Sequence, residues 1–421
     1  MSLRAVVFCC LLALGLSVFS AAPTTGLLRA AQESPAESTG NSTDSVSASD
    51  PVTSDADADG MTAGAPGADA ESTESWDPQE RIRAWLSPQR NLVLLVVLAA
   101  SIAVLGKSAD WLVDLAVGLS LRLGLPRVIV GATIVSLGTT APEAAVSVLA
   151  AINGSPELAM GNAVGSIICD TGLILGLACL LKPLPFRRSV VNRQGWVQFG
   201  CGVLLVALSI PWDDPLSMFR EGGTLSRSAG FVLVALLLIY MAWSVRLARG
   251  ETATADEEIE SDERPVILVL IALIAAVALV VVSSMFLIGS ATLLAERFGV
   301  PKSVIAATMV AFGTSLPELC IAMAAVRKNQ GELAVGNIVG ADILNVLFVA
   351  GLSAAVTPDG LQADYHFFQM QFPAMLFILF VFRCGIWQAS DDRLKRPFGV
   401  VLLSTYLVVT FLSYFLGVQM H

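Results

Sequence analysis

The stretch from Gly124 to Leu177 recurs, without gaps, as the stretch from Gly299 to Leu352. Its centre is Gly138-Thr139-Thr140-Ala141-Pro142-Glu143, which returns 175 positions later as Gly313-Thr314-Ser315-Leu316-Pro317-Glu318. The register is held by Gly124 and Pro126 with Gly299 and Pro301, and by Thr133 with Thr308. It continues through Glu157-Leu158-Ala159 with Glu332-Leu333-Ala334, and through Gly161-Asn162 and Gly165 with Gly336-Asn337 and Gly340. Shared apolar composition could arise by chance. A shared order of Gly, Pro, Asn and Glu marks an internal duplication, and the duplication sets the architecture.

Both copies lie in long apolar runs. The 421 residues are 55% hydrophobic and their mean hydropathy is +0.72, which identifies a polytopic membrane protein. Apolar spans fall at about 92–121, 127–150, 158–181, 194–210, 228–247, 266–297, 302–326, 333–356, 368–387 and 398–417. The expected fold class is therefore all-α, with ten transmembrane helices as two five-helix repeats, 91–247 and 266–421. The two motif spans are the second and the seventh. An odd separation of five spans makes them run in opposite directions, so the repeats are inverted.

The net charge of −10 does not belong to the membrane part. Pro23–Glu80 holds twelve acids and the single base Arg29, so the rest of the chain is close to neutral. Residues 1–22 read as a cleaved signal peptide, with Arg4, an apolar run and Ser20-Ala21-Ala22. Residues 23–90 read as a disordered acidic extracytoplasmic segment, ending in a short interfacial helix at Arg81–Gln89. Residues 248–265 read as a short acidic cytoplasmic loop.

One set of alternate loops carries fifteen Lys or Arg and the other four. The richer set is assigned to the cytoplasm, which places both termini outside a plasma (inner) membrane. The seven cysteines show no metal-ligand spacing, and the chain has only two histidines. Neither an enzyme, nor a bound cofactor, nor nucleic-acid binding is expected; oligomeric state is not encoded legibly.

Carboxylates inside apolar spans are costly and mark function. Glu143, Glu318 and Asp170 form such a set, the candidate metal ligands. Helical spacing puts Thr139 on the face of Glu143, with Ser136 one turn earlier and Thr140 beside them. Ala311, Thr314, Ser315 and Glu318 are equivalent in the copy. Asn162, Ser166 and Asp170 line one stripe of the third span, and Asn337, Ala341 and Asn345 one stripe of the eighth. Asp342 lies off that stripe and reads first as a polar contact between helices, with a supporting role beside the ions as the alternative. Proline and glycine free backbone carbonyls near these hydroxyls, giving an oxygen-rich site suited to hard cations such as Ca²⁺ and Na⁺. Lys107, Asp110 and Asp114 on the first span read as a paired group, and Glu157 and Glu332 as acids at helix starts.

The motifs Gly-Thr-Ser-x-Pro-Glu and Gly-Asn-x-x-Gly-(Ser/Ala) resemble the two repeats of the sodium/calcium exchanger family, the calcium:cation antiporters, over about residues 92–418. The resemblance implies exchange of Ca²⁺ for Na⁺ by alternating access. H⁺/Ca²⁺ exchange and K⁺-dependent exchange stay open on the same fold, with a cation channel as a remote alternative. It implies ion contacts from Thr139, Thr140, Glu143, Ser166, Asp170, Thr314, Ser315, Glu318 and Asn345; the supporting residues Ser136, Asn162, Ala311, Asn337 and Asp342 come from the spacing read above. The sequence departs from the archaeal-type pattern, which has an amide in the first repeat and an acid in the second. Here Asp170 precedes and Asn345 follows, and Ala341 stands where serine is usual.

Overall fold

The structure, a computed structural model, describes residues 78–250, 265–299, 313–389 and 391–419, without the side chains of 78, 248–250 and 413–419. The expected signal peptide, the acidic segment up to residue 77 and most of the central loop lie outside the described residues, as does Ala311.

Eleven helices follow one another among the described residues. The short α1 (Pro78–Leu86) precedes ten helices that overlap the ten expected spans, residues 302–312 of the seventh span lying outside the described residues. These are α2 (Asn91–Leu123), α3 (Arg127–Ile152), α4 (Pro156–Leu181), α5 (Arg188–Ser209) and α6 (Arg227–Gly250), then α7 (Val266–Arg297), α8 (Leu316–Arg327), α9 (Gly331–Val356), α10 (Phe367–Gln388) and α11 (Arg396–Gln419). The fold is all-α, ten transmembrane helices in two inverted five-helix repeats. Seven are long and apolar enough on their own to cross a membrane. The three others are α5, which carries Asn192, Arg193, Gln194 and Gln198; α8, which is only twelve residues long; and α11, whose described side chains stop at Leu412.

Local chemistry sets the ends. Gly124 closes α2 in the left-handed region (φ 62°), its N–H returning to Leu121 O, and Pro126 prevents continuation while capping α3. Glu157 and Glu332 lie in the first turns of α4 and α9, where the helix dipole favours acids. Helix α1 begins three residues earlier than expected. It docks by Leu86 against Leu94, Leu293 and Leu294, with Arg83 Nη2 2.6 Å from Glu296 Oε1.

Two miniature antiparallel sheets tie the repeats together. Strand β1 (Leu184–Pro185), between α4 and α5, pairs with β4 (Arg393–Leu394), between α10 and α11. Strand β2 (Gly223–Leu225), between α5 and α6, pairs with β3 (Leu361–Ala363), between α9 and α10. Each sheet joins non-equivalent loops, and the equivalents of both loops meet in the other sheet. An inverted duplication requires that arrangement, one clasp at each end of the bundle.

Helices α4 and α9 are central: 78% and 89% of their most apolar windows are buried, against 28% for α2 and α7, which pack along each other at the side. Helix α9 crosses α3 with almost no separation. A Cβ on Gly336 would fall 2.3 Å from Val128 O, and one on Gly340 2.4 Å from Ala132 Cα. From the other side, a Cβ on Gly131 would meet Leu333 O at 2.7 Å. Small residues permit this backbone approach, as in other membrane helix pairs. The five described cysteines, Cys169, Cys179, Cys201, Cys320 and Cys384, are all free thiols.

Candidate ion-binding site

In α3 the helix passes from Arg127–Val130 through a wide π-helical segment, Gly131–Val135, into Ser136–Ile152 with Pro142 inside it. Proline removes the donor that Gly138 O would receive. Hydroxyls fold back on the same helix: Ser136 Oγ donates to Thr133 O (3.3 Å) and Thr139 Oγ1 to Ser136 O (3.2 Å). Thr140 and Glu143 are buried beside them.

The second copy is built differently. The chain turns at Thr314–Ser315 (φ −85°, ψ 9° at Ser315), and α8 starts afresh at Leu316 with Pro317 and Glu318 in its first turn. Proline is tolerated there because the first helical N–H groups have no partner anyway. Glu143 therefore sits within a continuous helix and Glu318 at a helix start. Two closely similar hexapeptides thus take two backbone forms.

The stripe residues come from α4 and α9. Each helix widens into a π-helical segment, Cys169–Ile174 and Asn345–Ala350, and Asp170 and Asn345 lie at the starts of these segments. Such insertions recur at functional sites because they re-aim side chains and loosen backbone bonding. Asn162 joins the two motif copies. Its Nδ2 donates to Ser147 Oγ (2.9 Å) and Glu143 O (3.5 Å), and its Oδ1 accepts from Thr314 Oγ1 (3.3 Å).

Glu143 lies within electrostatic reach of Glu318 and Asp170, and Asp170 of Glu318 and Asp342. All four carboxylates are about 1% exposed. Buried side-chain atoms with no hydrogen-bond partner gather here: Thr140 Oγ1, Glu143 Oε2, Ser166 Oγ and Asp170 Oδ1 from the first repeat. The second repeat supplies Ser315 Oγ, Glu318 Oε2, Asn345 Oδ1, Asp342 Oδ1 and both polar atoms of Asn337. Unsatisfied buried polar groups are rare and costly, and oxygens in this number are a ready ligand set for cations. Among the described residues, no three His, Cys, Asp or Glu side chains converge on one metal position. Ala341 is buried on the same stripe and offers no ligand atom.

Sequence reasoning missed Thr171 and Gln198. The Thr171 hydroxyl donates to Asp342 Oδ2, and Gln198 Nε2 reaches the same oxygen at 2.5 Å. Tyr240 was missed too; its hydroxyl donates to Gln194 Oε1 (3.0 Å) and approaches Ala132 O (3.2 Å). Two glutamines in one apolar span were the available cue. The expected pairing among Lys107, Asp110 and Asp114 is corrected: Asp110 pairs with Arg327 and Asp114 with Lys328, at the end of α8. The opposite charges are supplied by the neighbouring helix rather than by α2 itself.

Comparison with known proteins finds matches over most of the chain. The family model described as "Sodium/calcium exchanger protein" matches residues 93–246 and 268–415. The inner membrane protein YrbG of Escherichia coli (strain K12) is 34% identical over 77% of this chain and 98% of its own length. The sodium/calcium exchanger MaX1 of Methanosarcina acetivorans is 28% identical over 76% of this chain and 99% of its own. Among solved structures, the sodium-calcium exchanger NCX_Mj soaked with 10 mM Na⁺ and zero Ca²⁺ matches with a TM-score of 0.64 at 24% identity. That match covers 76% of this chain and 98% of the other, and it speaks to fold alone. With the motif in both repeats and the inverted architecture in place, the chain belongs to the sodium/calcium exchanger protein family.

Proposed function

We propose that this protein is a secondary active antiporter that exchanges Ca²⁺ for Na⁺ by alternating access. The observation that carries the reading is the group of buried, unpartnered oxygens contributed by both repeats. Ca²⁺ and Na⁺ both take oxygen ligands, so they would compete for overlapping positions among Thr139, Thr140, Glu143, Ser166, Asp170, Thr314, Ser315, Glu318 and Asn345. Binding either ion offsets the buried negative charge, and the charged, empty site resists crossing the membrane. Na⁺ moving inward would drive Ca²⁺ outward. The loop charges favour a plasma (inner) membrane location with both termini extracytoplasmic.

The test is ⁴⁵Ca²⁺ uptake into proteoliposomes loaded with Na⁺, with K⁺, or with a pH gradient. Uptake requiring internal Na⁺ supports the proposal. Uptake that follows the pH gradient without Na⁺ replaces it with H⁺/Ca²⁺ exchange. A requirement for K⁺ together with Na⁺ makes the exchange K⁺-dependent.

A further inference from the structure

Arg383 is a buried cation inside a membrane span, and the candidate ion site does not use it. It lies near the end of α10, at the end of the bundle where β1 meets β4. It is 8% exposed. Its Nη2 donates to Asn192 Oδ1 on α5 (2.6 Å) and its Nη1 to Asn192 O (3.4 Å). Its Cζ lies 4.6 Å from the centre of the Trp196 ring. Gly195 makes the room, since a Cβ there would fall 2.9 Å from Arg383 Nη1. Arg383 Nε is buried with no hydrogen-bond partner. Among the described residues no carboxylate pairs with it. The two acids that follow α10 are taken by other bases, Asp391 by Lys395 (2.7 Å) and Asp392 by Arg188 (3.9 Å).

A contact between α5 and α10 does not need a charge. A glutamine at 383 would bond to Asn192 without carrying an ion into the span, where an unpaired charge costs several kcal/mol. Basic loops do not explain it either, because they orient a membrane protein from outside the hydrocarbon. Asn192 supplies neutral oxygens only, so the missing component is an anion. The surroundings define its kind. Residues 182–200 and 383–396 hold eight Lys or Arg against two acids, a net charge of +6. At the opposite end of the same two helices, residues 210–222 and 357–367 hold one Arg against five acids, a net charge of −4. Trp196 is 58% exposed and Trp387, one turn beyond Arg383, is 79% exposed. Exposed indole rings take the headgroup level of a bilayer. At that level the abundant anion is a lipid phosphate, which a planar guanidinium recognises well and which basic pockets between membrane helices take.

We propose that Arg383, with Asn192 and Trp196, forms a binding site for one anionic phospholipid of the leaflet at the basic end of the bundle. Asn192 takes two of the five guanidinium N–H groups, and the headgroup phosphate would take donors that remain. It would reach them past the exposed Trp196 ring. The net positive end selects an anionic headgroup over a zwitterionic one. The site stands whichever ions the protein carries.

Native mass spectrometry of the purified full chain, titrated with phosphatidylglycerol, phosphatidylcholine and inorganic phosphate, tests it. The wild type is expected to take one phosphatidylglycerol at a half-saturation at least about fivefold below that of phosphatidylcholine, and no inorganic phosphate, which lacks acyl chains. Arg383→Gln is expected to raise the phosphatidylglycerol half-saturation at least about fivefold, while Arg393→Gln, on the exposed β4, changes it by less than about twofold. Equal shifts in the two variants would reduce the effect to diffuse charge and overturn the site. Equal binding of the two lipids, or unchanged binding in a folded Arg383→Gln, would overturn it too. Inorganic phosphate that binds the wild type and not Arg383→Gln would replace the lipid with a free anion. If Arg383→Gln does not fold, hydrogen exchange of the wild type decides. Phosphatidylglycerol, and not phosphatidylcholine, must then protect residues 188–196 and 380–388, and protection by neither or by both alike overturns the proposal.

Discussion

Adding one methyl group at Gly336 should push apart the helices that carry the two halves of the site. The new Cβ would lie 2.3 Å from Val128 O, 2.8 Å from its Cα and 2.9 Å from its C. All three are backbone atoms, so no side chain can rotate away. Ordinary contact begins near 3.4 Å, and α3 and α9 must therefore separate by roughly 1 Å. Such overpacking costs about 1–3 kcal/mol. The displacement is carried to Thr139, Thr140 and Glu143 on one helix and to Asp342 and Asn345 on the other, so cation affinity should fall along with stability. Thermal unfolding and ⁴⁵Ca²⁺ binding of purified Gly336→Ala measure both. Gly131→Ala strains the same crossing from the other side, at 2.7 Å from Leu333 O. Once the helices have parted, the second methyl costs less, so the double variant should lose less than the sum of the singles. Gly118→Ala, with nothing within 4 Å of its Cβ, is the control and should be neutral or slightly stabilising. A Gly336→Ala protein with wild-type unfolding temperature and wild-type binding would refute the tight crossing.

Other outcomes follow from the same packing. Leu86→Ala should release α1 from Leu94, Leu293 and Leu294 at a cost of about 2–4 kcal/mol, seen as faster hydrogen exchange confined to residues 78–86. Asp114→Ala should cost under about 1 kcal/mol in thermal stability, because the Asp114 side chain is 64% exposed in its pair with Lys328.

The repeat, the ten spans and the inverted topology were legible in the sequence because they rest on spacing and hydropathy, which survive without coordinates. The candidate site was legible for a related reason: Glu143, Asp170 and Glu318 stand out in apolar surroundings, are buried, and lie on stripes that follow helical periodicity. Spacing could not show that α3 runs through Pro142 while its copy starts a new helix at Leu316. Closely similar motifs, differing only at Thr140/Ser315 and Ala141/Leu316, have similar local preferences, and the difference between their backbones is tertiary. Nor could it show the π-helical segments at Asp170 and Asn345, which arise from one extra residue per turn and leave no compositional mark. Asp342 off the stripe was visible, but its partners Thr171 and Gln198 lie 171 and 144 positions away. Asp110 and Asp114 were read by local spacing, and contacts over a similar sequence distance, to Arg327 and Lys328, override it.

The central claim is that two inverted repeats jointly build one cation site. The most direct test is Na⁺-driven ⁴⁵Ca²⁺ uptake by Glu143→Gln and Glu318→Gln, each alone, in the same proteoliposomes as the wild type. Removing either carboxylate should lower uptake by more than about thirtyfold, corresponding to at least about 2 kcal/mol for one buried charged ligand. Uptake that survives at near wild-type rate in either variant would contradict a shared site and assign the ions to one repeat.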